Sequence, residues 1–223
     1  ALAGDLLVRS PATEAGAPDV VHLHSAGKPV LPGTSLAGAM RAQALRIARL
    51  VRERHGDGEA WIDRIFGPRL EKKDKDSQNE PAKASRLRIS ESFIEDSDAR
   101  RQTRIAIDRF TGGVAHSALF DEEVQAGGRL HVRLELREPE DSAIGLLLLL
   151  LKDLLSGNIP VGGASSVGRG FLEGTAEIRR SDGKHYRIES DLKVEEKALK
   201  DFNEWIKAFH QPALKNREEE MGS

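Results

Sequence analysis

The sequence predicts an α+β protein with a ferredoxin-like core, enlarged by a helical and loop insertion and by a projecting arm. Three observations predict it. Periodic segments follow one another as strand, helix, strand, strand, helix, strand, the order of the split βαβ motif. Residues 144–151 form an almost uniformly apolar run, which suits a helix buried between two layers. Two alternating segments, 104–109 and 130–136, bracket a piece too long for a tight turn and too apolar for a solvated loop.

In chain order, residues 6–9 read as a first strand, so short that the chain is expected to begin upstream of Ala1. A loop of Ala, Gly and Pro runs to Pro18, and Asp19 stands where the chain extends again as Val20-Val21-His22-Leu23-His24. An apolar segment then turns through Pro32-Gly33 into a helix expected over 35–54. Leu36, Met40, Ala44, Ile47 and Val51 share one face of it, while Arg41, Arg46, Arg49, Arg52 and Arg54 mostly point elsewhere. Thr34 or Ser35 is the expected N-cap. His55-Gly-Asp-Gly58 stops the helix, a shorter one is expected over 60–66, and the charged, aperiodic stretch 70–84 reads as a mobile loop.

Residues 86–90 alternate as a half-buried strand that Phe93-Ile94 extends. The arm region follows, and then a helix over 142–155 that ends at Ser156-Gly157-Asn158. Four glycines and one arginine crowd the loop Val161-Gly-Gly-Ala-Ser-Ser-Val-Gly-Arg-Gly-Phe171, which leads into a strand over 171–179. Residues 185–188 pair back around Ser181-Asp182-Gly183, and an amphipathic helix lies at about 194–210, with a frayed tail beyond it. With no repeat and no linker, residues 1–223 are expected to form one elaborated domain.

Composition narrows the function. A chain of 223 residues, 39% hydrophobic, can bury a real core. The absence of cysteine excludes disulfides and thiolate metal sites, and no apolar run reaches bilayer length, so a cytoplasmic protein without a membrane partner is expected. A net charge of −2 argues against nucleic-acid binding over the whole surface, but it conceals an asymmetry. Residues 28–73 carry ten Lys/Arg against five Asp/Glu, and residues 188–223 carry six against nine.

Several residues carry candidate chemistry. The start of the helix after Pro32 offers free amides and the positive end of a helix dipole, an anion site. The glycine loop is neither a Walker A loop nor a dinucleotide fingerprint, since no Gly-Lys-Ser/Thr follows and it enters a strand. It still lets backbone amides approach phosphates, with Arg169 adding charge. His22 and His24 fall on one side of an extended segment, the arrangement of a metal pair or of a general acid and base, but no third metal ligand is evident.

These residues resemble a known family. Pro32-Gly-Thr-Ser-Leu-Ala-Gly-Ala-Met-Arg41 is similar to the Pro-Gly-Ser-Ser-Leu-Lys-Gly-x-x-Arg element of the RAMP superfamily. Ile65-Phe-Gly67 with Ala84-Ser-Arg-Leu-Arg-Ile89, Ile107-Asp-Arg-Phe-Thr-Gly-Gly-Val-Ala115 with Leu119, Phe120 and Glu123, and the loop Gly162–Gly170 resemble its following elements, in order. The resemblance is closest to the backbone subunits of type III CRISPR effectors. It implies an RRM-like palm, a β-hairpin thumb inserted at about 102–136, and copies stacked head to tail on a guide RNA beside other effector subunits.

The resemblance assigns Lys28, Gly33, Thr34, Ser35 and Arg41 to the guide backbone, with Gly162, Gly163, Gly168, Arg169 and Gly170. It assigns Arg109, Thr111, Gly112, Gly113 and His116 to a thumb that wedges into the guide–target duplex. Ala37 departs from the family lysine, and Lys28 or Arg46 is expected to compensate. Asp19 is the positional match to the family's catalytic aspartate, implying cleavage of complementary target RNA with a divalent ion, Mg or Mn, bound with the substrate, and no organic cofactor. The alternatives are a structural guide-binding subunit without cleavage, and a guide-processing endoribonuclease using His22 or His24.

Overall fold

The computed structural model describes residues 1–12, 16–52, 58–68 and 84–211, without the side chains of 52 and 115–118. Residues 70–83 of the expected loop, most of the 55–58 stop signal and the tail beyond residue 211 lie outside the described residues.

The elements run β1 (Asp5–Leu6), β2 (Arg9–Pro11), β3 (Val20–His22), β4 (His24–Ser25), β5 (Lys28–Leu31), α1 (Gly33–Arg52), α2 (Gly58–Phe66), β6 (Leu87–Ile89), β7 (Ser92–Glu95), β8 (Asp98–Ile107), β9 (Val114–Ala126), β10 (Arg129–Leu130), β11 (Leu134–Leu136), α3 (Asp141–Leu155), β12 (Ala176–Arg179), β13 (His185–Ile188) and α4 (Glu196–His210). The α+β class and the ferredoxin-like core follow the sequence prediction. Antiparallel pairs β6–β11 and β7–β10 form the central hairpin. The N-terminal segment lies beside it, with the Leu2 amide donating to the Gly128 carbonyl at 3.0 Å, and on its other side bridges Leu172. Strand β5 adds to the opposite edge by pairing with β7.

The thumb is the continuous hairpin β8–β9, from Asp98 to Ala126. It starts and ends before the expected 102–136, because residues 129–136 belong to the palm. There the expected unbroken strand is split into β10 and β11. Leu130 faces Ile94 while Leu134 faces Ile89, so the partner strand carries one extra residue, a bulge. The expected strand over 171–179 is likewise reduced to the bridge at Leu172 and to β12.

Helix α3 is apolar all round because it serves two cores. Leu146, Leu150 and Leu154 join α1 and α2 residues such as Met40, Ala44 and Ile62 under the sheet. Ile144 and Leu148 meet Tyr186, Phe202 and Trp205 of the β12–β13–α4 unit. Gly145 sits between the helices, where a Cβ would fall 2.1 Å from the Trp205 carbonyl oxygen. Gly145→Ala is expected to destabilise by about 1–3 kcal/mol through forced separation of α3 and α4. Gly38→Ala, mid-helix with open space around it, is expected to stabilise by about 0.5–1 kcal/mol. Urea unfolding of the two variants checks the pair of opposite signs.

Candidate functional site

Strand β5 ends at Leu31 and the chain turns at once into α1, so the cap is Pro32 rather than Thr34 or Ser35. Its carbonyl accepts from the Ser35 amide at 3.1 Å and the Leu36 amide at 3.3 Å. Thr34 is exposed and Ser35 half-buried in the first turn, whose leading amides have no partner within the helix. Gly33 is buried, and a Cβ there would meet the Ile89 carbonyl oxygen at 2.0 Å. Close packing of α1 on β6 accounts for this glycine without any ligand. Arg41 also departs from its expected role. Its guanidinium donates to the Gly67 carbonyl at 2.5 Å and to Asp63, with only 15% of the side chain exposed, and fastens α1 to α2. Lys28 stays exposed, its ammonium 5.8 Å from the centre of the Phe93 ring.

The glycine loop is anchored on the first strand. The Gly163 amide donates to Leu7 O at 2.7 Å, Gly170 to Asp5 O at 2.9 Å, and Val161 to Gly170 O at 2.8 Å. A Cβ on Gly170 would fall 2.0 Å from the Val161 carbonyl oxygen, and Gly162 is pressed in the same way on Leu7. Between these anchors the crest, Ser165 to Gly168, is exposed, and Gly168 has open space around it. Arg169 is expected on a phosphate but is turned inward and 2% exposed. Its Nη1 donates to Glu122 Oε2 at 2.7 Å and its Nη2 to Gln102 Oε1 at 2.5 Å. Arg104 and Arg9 reach the same carboxylate at 3.2 and 3.4 Å, and Gln102 donates onward to Asp5 at 2.7 Å. The loop, the first strand and the thumb base are joined by one polar network.

At the far end of the thumb, the turn is built by Asp108, whose Oδ1 accepts from the Phe110 and Thr111 amides at 2.7 and 3.0 Å. These bonds hold its carboxyl below the usual carboxylate range. Arg109, Thr111, Gly112 and Gly113 are exposed there, and Phe110 is fully exposed. Ile105 faces Leu119 and Ile107 faces Val114 across the strands, and all four are half or more exposed. The side chain of His116 lies outside the described residues.

Asp19 is exposed at the thumb base, where its Oδ2 accepts from the Asp121 amide at 2.9 Å. The Asp121 carboxylate is taken up by Thr103 at 2.5 Å and by Arg101, which together lower its pKa. Among the described residues no three His, Asp or Glu side chains gather to hold a metal. A divalent ion at Asp19 would therefore need further ligands from a bound molecule.

The two histidines stand edge to face with ring centres 6.1 Å apart, but His22 is fully buried and His24 exposed, and among the described residues no third ligand joins them. The Val8 amide donates to His22 Nδ1 at 3.2 Å, so Nε2 carries the proton and donates to Val30 O at 3.0 Å. His22 is a neutral tie between the first strands and β5.

Glu122 and Gln102 are the residues that sequence reasoning missed. The signal was present: Glu122 shares its strand face with Val124 and Ala126, both buried, so a charge stands in the apolar register.

Comparison with known proteins agrees with this layout. A model of the RAMP superfamily matches residues 5–173, more than half of the chain. Two solved chains share the fold at 14% identity and a TM-score of 0.50. One, from the type III-B Cmr-beta cryo-EM structure in the apo state, covers 76% of this chain and is 92% covered itself. The other, from type III-B Cmr-beta bound to cognate target RNA, gives 77% and 93%. No curated protein matches the chain. Among the described residues no helix is long and apolar enough to cross a membrane.

Burial of His22 lowers its pKa from the ordinary 6.5, so the folded state holds the neutral ring while the unfolded chain takes up a proton below that pH. Stability is therefore complete above about pH 6.5 and falls as the pH drops through and below it. The carboxylates with lowered pKa act further down, below about 4. Urea midpoints are expected to fall between pH 7.5 and 5, and to flatten over that window in His22→Asn.

Proposed function

The chain belongs to the RAMP superfamily, and we propose that it is a guide-RNA-binding backbone subunit of a type III CRISPR effector that cleaves complementary target RNA. The observation that carries this reading is the Arg169–Glu122 network. It gathers the exposed glycine crest and the base of a long thumb into one frame, with Asp19 bonded to the thumb strand one residue from Glu122. The fold shared with a chain of Cmr-beta bound to cognate target RNA supports the same partner class.

In this reading the guide backbone lies against the leading amides of α1, with Thr34 and Ser35, and against the Ser165 to Gly168 crest. Amide donors serve any guide, because they recognise phosphate and leave the sequence to base pairing. Lys28 adds charge. The thumb reaches into the guide–target duplex with Phe110 at its tip and its exposed Ile and Leu face against unstacked bases, while Arg109 meets the backbone. Other effector subunits, and further copies of this chain placed head to tail, continue the path.

Cleavage is an in-line displacement. The target's 2′-oxygen attacks the adjacent phosphorus, the bond from phosphorus to the 5′-oxygen breaks, the 2′-hydroxyl proton leaves and the 5′-oxygen gains one. The exposed Asp19 carboxylate, one oxygen of which accepts from the Asp121 amide, stands at the thumb base to orient the attacking 2′-hydroxyl. Asp19, with ligands from the bound substrate, would hold a divalent ion, which would supply charge stabilisation for the developing oxyanion.

A second reading, a structural subunit that does not cleave, has the Asp19–Asp121 hydrogen bond behind it, since a backbone cap accounts for this carboxylate without catalysis. The guide-processing alternative loses His22 to burial and is left with the exposed His24. In the assembled complex, Asp19→Ala is expected to cut complementary RNA at least about 100-fold more slowly while binding it unchanged. Equal cutting by variant and wild type selects the structural reading.

A further inference from the structure

Strand β7 alternates cleanly: Ser92 and Ile94 are buried, while Phe93 and Glu95 point outward. Phe93 leaves 43% of its surface exposed on the outer face of the sheet, opposite Val30 of β5. The ring stands beside the fully buried Val30, and cations gather around its exposed part. The Lys28 ammonium lies 5.8 Å from the ring centre. His131, whose carbonyl accepts from Ser92 Oγ at 2.7 Å, and Arg133 are exposed on the neighbouring segment. Among the described residues Lys28, His131 and Arg133 enter no ion pair. The nearby acids are Glu95, which faces Arg129 across the strand pair, and the exposed Glu91, two residues before Phe93.

We propose that the outer sheet face at Phe93 is a stacking site for one base of single-stranded RNA, with Lys28, His131 and Arg133 contacting the flanking phosphates. A free ring offers every base a π-face and reads no base edge, so the site tolerates any sequence. The cations supply the phosphate half of such a site. A protein partner fits less well, because a single ring among charged neighbours offers too little apolar area for a hydrophobic interface. Position favours the same ligand. Val30, the partner of Phe93, lies three residues before Gly33, so the face adjoins the start of α1. This inference rests on the guide-binding reading and adds a contact that neither the helix start nor the glycine loop contains.

The test uses the full chain and a fluorescent oligouridine, followed by anisotropy. Phe93→Ala is expected to weaken binding about tenfold with an unchanged melting temperature, and Phe93→Tyr to keep wild-type affinity. Lys28→Gln should lower the slope of log affinity against log salt by about 0.7. Wild-type affinity in Phe93→Ala overturns the stacking site and leaves the guide-binding reading standing. A wild-type protein that binds no RNA removes both. Unchanged RNA affinity in Phe93→Ala with impaired entry into the effector complex assigns the face to a protein neighbour and also overturns the proposal.

Discussion

The Arg169–Glu122 pair, with both side chains 3% exposed, is the constraint on which the arrangement of the site depends. Burying two charges costs much of what their attraction returns, so such a pair is weak evidence for extra stability. Its effect is on geometry. Glu122 sits in the thumb strand β9 and Arg169 at the end of the glycine loop, far apart in sequence and held at 2.7 Å. Loss of Glu122 would leave the buried Arg169 as an uncompensated charge, which costs about 3–5 kcal/mol, whereas Glu122 keeps Arg104 and Arg9 beside it. Gln102 extends the tie to β8 and to Asp5, so both thumb strands and the first strand share it. The thumb is a long hairpin that contributes little to the core, and this network fixes its direction.

That fixation changes what contacts a polyanion. The two arginines expected on the guide backbone, Arg41 and Arg169, are engaged inside the protein, one holding α2 and one holding the thumb. What faces outward at the helix start and the loop crest is mainly amide, hydroxyl and glycine. The proposed clamp therefore recognises phosphate by shape and backbone donors, with Lys28 and the thumb's Arg109 supplying charge. A near-neutral chain with a net charge of −2 suits this mode better than a basic surface would.

Much of the fold was legible in sequence because it rests on local periodicity. Helix α1, the twice-buried α3 and the amphipathic α4 announce themselves by which residues are apolar, and the 181–183 turn by its Asp-Gly step. Residues whose role depends on distant partners were misread. Arg169 looked like a phosphate ligand because its neighbours are glycines, and Glu122, 47 residues away, is what turns it inward. His22 and His24 do lie side by side, with ring centres 6.1 Å apart, but the depth to which packing buries His22 and leaves His24 exposed is not written in the alternation. Glycines carry a similar ambiguity. Gly33 and Gly170 are needed where backbone meets backbone, while Gly168 stands in the open, and the sequence alone does not separate these uses.

The central claim is that RNA lies between the α1 start and the glycine crest, with the thumb across it. Ribonuclease protection combined with site-specific photocrosslinking of the purified protein bound to its co-purified RNA tests it most directly. With photoreactive groups at Thr34, at Val167 and at Phe110, the account predicts a protected RNA of defined length. Thr34 and Val167 should crosslink to the guide strand, and Phe110 should do so at regularly spaced positions. Protein that purifies free of RNA, or RNA that crosslinks elsewhere while these three positions stay silent, would contradict it.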